Sequence, residues 1–285
     1  MSGDFVALLG TKGGPAIRKG SPMPTSSVLS LGGQTVVVDC GLGVTRGLAD
    51  QGIALKDLGL IFITHLHSDH YLELGPLLHT AWTAGLTTRV QVYGPSGLVR
   101  YWQGFIASMA EDIDTRIEDE GRPDLRDLVS FTTMRAGETA QAGGLSVQAM
   151  QSIHPPLEES LSLSFAMGAK RVVFSGDTAF NPALAAVARG ADLLVHEAML
   201  AEGLEALMKR IGNGDDRLMK HWLRSHTMAA DAAKTAATAG VKALALHHLI
   251  PSDDPDFGPA EWHRAVAPHW TGPLHVGQDG LRIAL

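Results

Sequence analysis

The sequence predicts an α/β fold in which two β-sheets pack face to face with helices on their outer faces. Three observations carry that expectation. Each half of the chain holds several short β-rich runs followed by helical segments, and such elements bury their apolar faces as stacked layers. No stretch rich in Pro, Gly or Ser separates the halves, so residues 1–285 read as a single domain. The 285 residues, 45% hydrophobic and 19% charged, suffice for a sizeable core, unlike the composition of a disordered chain.

The elements follow in order. Phe5 to Leu9 is an apolar run that stops at Gly10-Thr11-Lys12-Gly13-Gly14-Pro15, a strand ending in a glycine-rich turn. Ser27 to Leu31 and Thr35 to Val38 flank Gly32-Gly33, the pattern of a hairpin, and the second run ends at Asp39-Cys40-Gly41. Leu58 to Thr64 is a further strand, Leu72 to Ala84 has helical spacing, and Arg89 to Tyr93 is a strand closed by Gly94-Pro95. Residues 98–120 set Trp102, Phe105, Ile106 and Met109 at helical intervals and predict one or two helices. In the second half, Leu145 to Ile153, Leu161 to Met167 and Arg171 to Phe174 read as strands, the last before Ser175-Gly176-Asp177. Leu184 to Arg189 reads as a helix and Leu193 to Val195 as a buried strand leading into His196-Glu197. Met228 to Ala239 is an alanine-rich helix closed by Gly240, and Val241 to Leu246 a strand ending at His247-His248.

Composition removes several function classes. The lone Cys40 excludes a disulfide framework and any cysteine-based zinc site, which agrees with a cytoplasmic protein. A secreted or periplasmic location stays open if a leader was removed. No apolar run approaches the ~20 residues needed to span a bilayer, so no membrane partner is expected. The net charge of −7 disfavours broad binding to nucleic acid, which needs clustered Lys and Arg. Histidine is the surplus residue: there are 13, and His65, His67 and His70 fall within six positions.

That cluster, Thr64-His65-Leu66-His67-Ser68-Asp69-His70, follows an apolar run. Alternation in an extended segment aims His65 and His67 the same way, and a following turn brings Asp69 and His70 nearby. Three imidazoles and a carboxylate suit a divalent ion, zinc first. Other segments are less telling alone: His154 before Pro155-Pro156 also fits an ordinary loop, and Asp177 an ordinary helix cap.

The His-x-His-x-Asp-His pattern resembles the signature of the metallo-β-lactamase superfamily. The resemblance runs over nearly the whole chain and is nearest to the ribonuclease Z-like branch. It is carried by Leu9-Gly10-Thr11 with Gly14-Pro15, Asp39-Cys40-Gly41, the histidine cluster, His154, Ser175-Gly176-Asp177-Thr178, His196-Glu197-Ala198, Ser225-His226-Thr227 and His248. It implies a four-layer αββα sandwich with helical insertions near the site, of which residues 98–130 and 199–225 are candidate lids. It implies one metal on His65, His67 and His154, a second on Asp69, His70 and His248, and Asp177 bridging the two. Two divalent ions are expected, zinc first, with Mn2+ or Fe2+ as alternatives. His247 and His248 compete for one position; strand alternation from Leu244 and the family register, with Pro251 three positions on, favour His248. Glu197 and His226 are implied to act together in catalysis with Asp69, the carboxylate orienting a histidine that protonates the leaving group.

The implied activity is a dinuclear, zinc-dependent hydrolase using a metal-bridging hydroxide. Its expected substrate is a small phosphodiester or an aryl sulfate ester. Alternatives are another small electrophile, such as a lactone, a carbamate or a halogenated aromatic, and tRNA 3′-processing. Ribonuclease Z enzymes insert a long tRNA-holding arm between the third-histidine and Gly-Asp motifs, whereas here only 22 residues separate His154 from Asp177. That departure and the negative charge favour a small substrate over nucleic acid. A homodimer is common in the family, although nothing in the sequence locates an interface. The remaining histidines, His79, His221, His263, His269 and His275, carry no motif.

Overall fold

The computed structural model describes residues 3–212 and 214–285. The first half contains β1 (Phe5–Gly10), β2 (Ser26–Leu31), β3 (Gln34–Cys40), α1 (Val44–Asp50), β4 (Leu60–Phe62), α2 (Ser68–Tyr71), α3 (Leu74–Thr83), β5 (Val90–Gly94), α4 (Leu98–Ser108), α5 (Ala110–Glu120), α6 (Leu125–Leu128) and β6 (Val129–Thr133). The second contains β7 (Thr139–Ala142), β8 (Leu145–Gln151), β9 (Leu161–Met167), β10 (Lys170–Phe174), α7 (Leu184–Val187), β11 (Leu193–Met199), α8 (Ala201–Ile211), α9 (Arg217–Ser225), α10 (Ala229–Ala239), β12 (Leu244–Ile250), α11 (Pro259–Val266), β13 (Leu274–Val276) and β14 (Leu281–Ala284). They build two seven-stranded mixed sheets, ordered β14-β1-β2-β3-β4-β5-β6 and β13-β12-β11-β10-β9-β8-β7.

Strand alternation sorts side chains into layers. Val6, Leu8, Val36, Val38 and Phe62 of the first sheet meet Val147, Leu163, Phe165, Val172 and Val195 of the second in the central core. The ring of Phe62 stacks on Tyr93 at 4.6 Å and meets Phe165 edge-on at 5.1 Å, so that one residue ties both sheets. The opposite faces are covered by helices. Phe5, Ala7, Val37 and Ile61 pack under α1 and α3, whereas Val173, Leu194, Leu244 and Leu246 pack under α10 through Ala229, Ala232, Ala233 and Ala236. Alanine on that helix face permits close approach to the sheet. These are the four αββα layers that the motifs imply.

Strand direction gathers the site. β3, β4 and β5 run parallel, as do β10, β11 and β12. Their C-terminal ends therefore open on one edge of the sandwich, where loops are free to carry chemistry.

Several elements differ from the sequence expectations. The run expected to be a strand through Thr64 pairs only over Leu60–Phe62, because Thr64 leaves the ladder and its amide donates to the Asp39 carboxylate at 2.8 Å. The strand expected over Val241 to Leu246 instead spans Leu244–Ile250, since the Val241 amide closes α10 on the Ala236 carbonyl. β11 runs on through Met199. The half-exposed β6 and the short β13 and β14 have too little apolar patterning to be read from sequence. Residues 98–120 form two helices, of which Trp102 packs on Phe105 and Phe131 beneath the first sheet.

Candidate metal centre

The extended segment after β4 buries His65 and leads to His67, which precedes the first turn of α2; that turn supplies Asp69 and His70. His154 lies beyond β8 and Asp177 beyond β10. The Asp177 Oδ2 atom is the centre of the group. It lies 3.1 Å from His248 Nε2, 3.3 Å from His70 Nε2, 3.6 Å from His65 Nε2 and 3.9 Å from His154 Nε2. Asp69 Oδ2 is 3.3 Å from His248 Nε2 and 3.7 Å from His70 Nε2, and His67 Nδ1 is 2.9 Å from His154 Nε2. The structure thus brings together all seven residues that the motif implies as ligands.

His248 is placed by a β-bulge. In β11–β12 pairing, Glu197 faces His247 and Ala198 faces Leu249, leaving His248 as the unpaired extra residue with φ 44°. A bulge of this kind re-aims one side chain. Simple alternation would send His248 to the helix side with Leu244 and Leu246, so the expectation picked the residue that meets Asp177 on a reason the structure replaces. His247 instead donates Nε2–H to the Gly10 carbonyl at 2.9 Å. His196 faces away and donates Nδ1–H to its neighbour Glu197's carbonyl at 2.7 Å.

The surroundings fix which nitrogens face the centre. His154 donates Nδ1–H to the Ser225 carbonyl at 2.9 Å, and His70 donates Nδ1–H to Asp39 at 2.8 Å. In each, Nε2 is the nitrogen turned toward the cluster, at 3.3 Å (His70) and 3.9 Å (His154) from Asp177 Oδ2, the arrangement that outer partners impose on metal-binding histidines. Gly14 N–H holds Asp69 Oδ2 at 2.8 Å. The glycine loop is strapped to β12, with Gly13 donating to Leu249 and Leu249 to Thr11. A Cβ on Gly13 would lie 2.5 Å from Ile250 Cγ1 and 3.0 Å from the His248 ring, so only glycine fits there.

A metal ion fits this donor set. His65 Nε2, His70 Nε2 and Asp177 Oδ1 are buried without a hydrogen-bond partner, an expensive arrangement unless a ligand satisfies them. His65, His67, His154 and Asp177 offer one compact group of donor atoms, and Asp69, His70 and His248 a second. Burial and the neighbouring His70 push His65 well down, and burial brings His154 to about 4; neutral imidazole is the ligand form. Burial alone would raise Asp177, but His248, His70 and His65 outweigh it and hold the carboxyl well below its ordinary range. Burial would likewise lower His70, yet Asp177, Asp39 and Asp69 pull it well above 6.5. Three converging carboxylates call for positive charge, which a dication supplies.

Beside this group, His226 Nδ1 donates to the Glu197 carboxylate at 3.1 and 3.2 Å. Thr178 N–H holds Glu197 Oε1 at 2.7 Å. Burial opposes a charged His226, but Glu197 prevails and lifts it to about 9; Glu197 itself is raised by burial. His226 opens on a cavity of about 340 Å3 whose lining includes Pro15, Ala16, Leu207, Leu218, Trp222 and Pro251 together with His67, Asp69, Asp177 and His248, and Glu197 lies behind it, outside that lining. Residues 199–225 thus supply part of the wall, whereas none of residues 98–130 lines it.

Three participants carried no site role in the sequence reading. Asp39, with φ 61° at the end of β3, orients His70 and Thr64; its strand-end position before Cys40-Gly41 was the available signal. His221 lines the cavity with its ring 5.6 Å from His226 and 6.1 Å from His67. Its place one helical turn before Ser225-His226 could have marked it. Lys12 also lines the cavity.

A family model described as "Anti-Pycsar protein Apyc1" matches residues 6–232. Ribonuclease Z of Mycobacterium sp. (strain KMS) is 31% identical over 98% of this chain and 95% of its own length. The metallo-β-lactamase fold protein YhfI from Bacillus subtilis superposes with a TM-score of 0.73 at 19% identity, covering 99% of each chain. The short form of human tRNase Z superposes at 0.67 and 19% identity, covering 98% of each. The name these relatives carry runs against the expectation, drawn from charge and from the short His154–Asp177 spacing, that nucleic acid is disfavoured as a partner. Among the described residues no helix is long and apolar enough to cross a membrane. With a family model spanning most of the chain and a relative above 30% identity along its length, the chain belongs to the Apyc1 family, within the ribonuclease Z-like metal-dependent hydrolases of the metallo-β-lactamase superfamily.

Proposed function

We propose that this chain hydrolyses a small phosphodiester. His65, His67 and His154 would hold one divalent ion, Asp69, His70 and His248 the other, and Asp177 both, with zinc the first choice for N and O donors. When bound, such ions polarise the ester and activate water. The observation that carries the reading is His226, seated between Glu197 and the cavity beside the ligand group. An ester with an alkoxide leaving group needs a proton at departure. With Nδ1–H given to Glu197, the protonated ring offers Nε2–H as that donor. Glu197 fixes the ring and favours its charged form. The apolar walls suit the organic part of a small ester.

A second reading, tRNA 3′-processing, is favoured by the relatives named ribonuclease Z, which match along the whole chain. Against it, the 22 residues between His154 and Asp177 are mostly taken up by the β9–β10 hairpin, which leaves no long arm there. The test is a parallel turnover screen on zinc- and manganese-loaded protein with bis(4-nitrophenyl) phosphate, 4-nitrophenyl sulfate, a lactone and a precursor tRNA with a 3′ trailer. Turnover of the phosphodiester with the tRNA left intact supports the first reading. Efficient trailer cleavage supports the second, and turnover of the lactone alone overturns both.

A further inference from the structure

Lys12 has no part in the chemistry above, yet its position is tightly built. It interrupts the glycine-rich turn after β1. Its amide donates to the Met23 carbonyl at 3.0 Å, and its carbonyl accepts from Thr25 Oγ1 at 3.2 Å. Only 6% of the residue is exposed, and it lines the same cavity as Asp69, Asp177 and His226. The ammonium donates to the adjacent Gly13 carbonyl at 3.2 Å and forms no ion pair among the described residues. Arg18, on the same wall, is already tied to Asp253 at 3.0 Å. An ammonium has three donors, and burying one without an anion is costly unless a ligand pairs with it. Burial depresses the Lys12 pKa, while Asp253 works in the opposite direction.

We propose that Lys12 reads the charge of the substrate: its ammonium binds an anionic oxygen of the ester seated at the metal centre. This preference for anionic phosphodiesters and sulfate esters over neutral esters rests on the phosphodiesterase reading and sharpens it. A phosphodiester carries an anionic oxygen that a carboxyl ester or lactone lacks. A charge-assisted hydrogen bond to that oxygen is therefore made with one class only.

The test compares kcat/KM for bis(4-nitrophenyl) phosphate and for neutral 4-nitrophenyl acetate on metal-loaded protein with Lys12→Met, Lys12→Gln and Lys12→Arg. The phosphate-to-acetate ratio is expected to fall at least about tenfold in the Met and Gln variants, mainly through KM, and to recover in part with Arg. Tenfold corresponds to about 1.4 kcal/mol, close to the lower end of what a hydrogen bond to a charged group contributes. A ratio that changes by less than about threefold, or equal losses on both substrates, overturns the inference. If the unmutated protein turns over neither substrate, the phosphodiesterase reading fails, and calorimetric titration with inorganic phosphate then decides for Lys12. Weaker phosphate binding by Lys12→Met supports the charge-reading role, and unchanged affinity removes it.

Discussion

Glu197→Gln isolates the electrostatic work of one carboxylate. Glutamine keeps the shape and an oxygen for His226 Nδ1–H, now 3.1 Å away, and removes only the charge. Glu197, with smaller contributions from Asp177 and Asp69, acts against burial to lift His226 from 6.5 to about 9. At 1.36 kcal/mol per pH unit this is about 3 kcal/mol. Without the charge, burial is opposed only by the smaller pulls of Asp177 and Asp69, and the imidazole falls back toward its ordinary 6.5. At pH ~8 its protonated fraction drops from about nine-tenths to about 3%, roughly a thirtyfold loss of the donor form. The assay is a pair of pH–rate profiles in kcat/KM. One uses a dinucleoside phosphate, whose alkoxide must be protonated, and the other bis(4-nitrophenyl) phosphate, whose phenolate leaves without help. Because the protonated form is active, the alkaline limb should move to lower pH, toward 6.5, for the dinucleoside phosphate. The nitrophenyl substrate should lose only a few-fold. An alkaline limb that stays in place, or equal losses on both substrates, refutes the proton-donor role.

The metal assignment makes further predictions. Elemental analysis should find about two equivalents per chain, and Asp69→Ala should lose roughly one of them together with activity while keeping the fold by circular dichroism. Retained activity would argue that Asp69 binds no ion. Asp39→Asn, which weakens the acceptor for His70 Nδ1–H, should cost about 10- to 100-fold in metal affinity by chelator competition; unchanged affinity would assign Asp39 to folding alone. Gly13→Ala forces the loop off Ile250 and His248 and should lower activity more than it lowers the melting temperature. His226 also links stability to pH. A group raised from 6.5 to about 9 stabilises fully below 6.5 and loses that contribution as pH rises through about 9. Metal-free protein should therefore melt at lower temperature across that window, and His226→Ala should flatten that part of the curve.

How much of this was legible in the sequence depends on range. Strands buried on both faces announce themselves as apolar runs, and the β2–β3 hairpin was marked by Gly32-Gly33. The two-sheet layering followed from the order of such runs, and the histidine cluster from spacing within six residues. Local signals sufficed there because each depends on neighbours in the chain. Relations between distant segments lie outside local pattern: the family resemblance implied the ligand set and the Glu197–His226 pair, and tertiary structure decided how they meet. Asp39 meets His70 across 31 positions and His226 meets Glu197 across 29, and no periodicity encodes either pair. The β11–β12 bulge that turns His248 toward Asp177 depends on a register between strands. His221 and Lys12 acquire meaning only because separate segments wall one cavity. Sequence fixes which side chains stand at strand ends, since the alternation of a strand is local. Which ends converge, and which nitrogen of each histidine faces the centre, is set by contacts made only once the two sheets have packed.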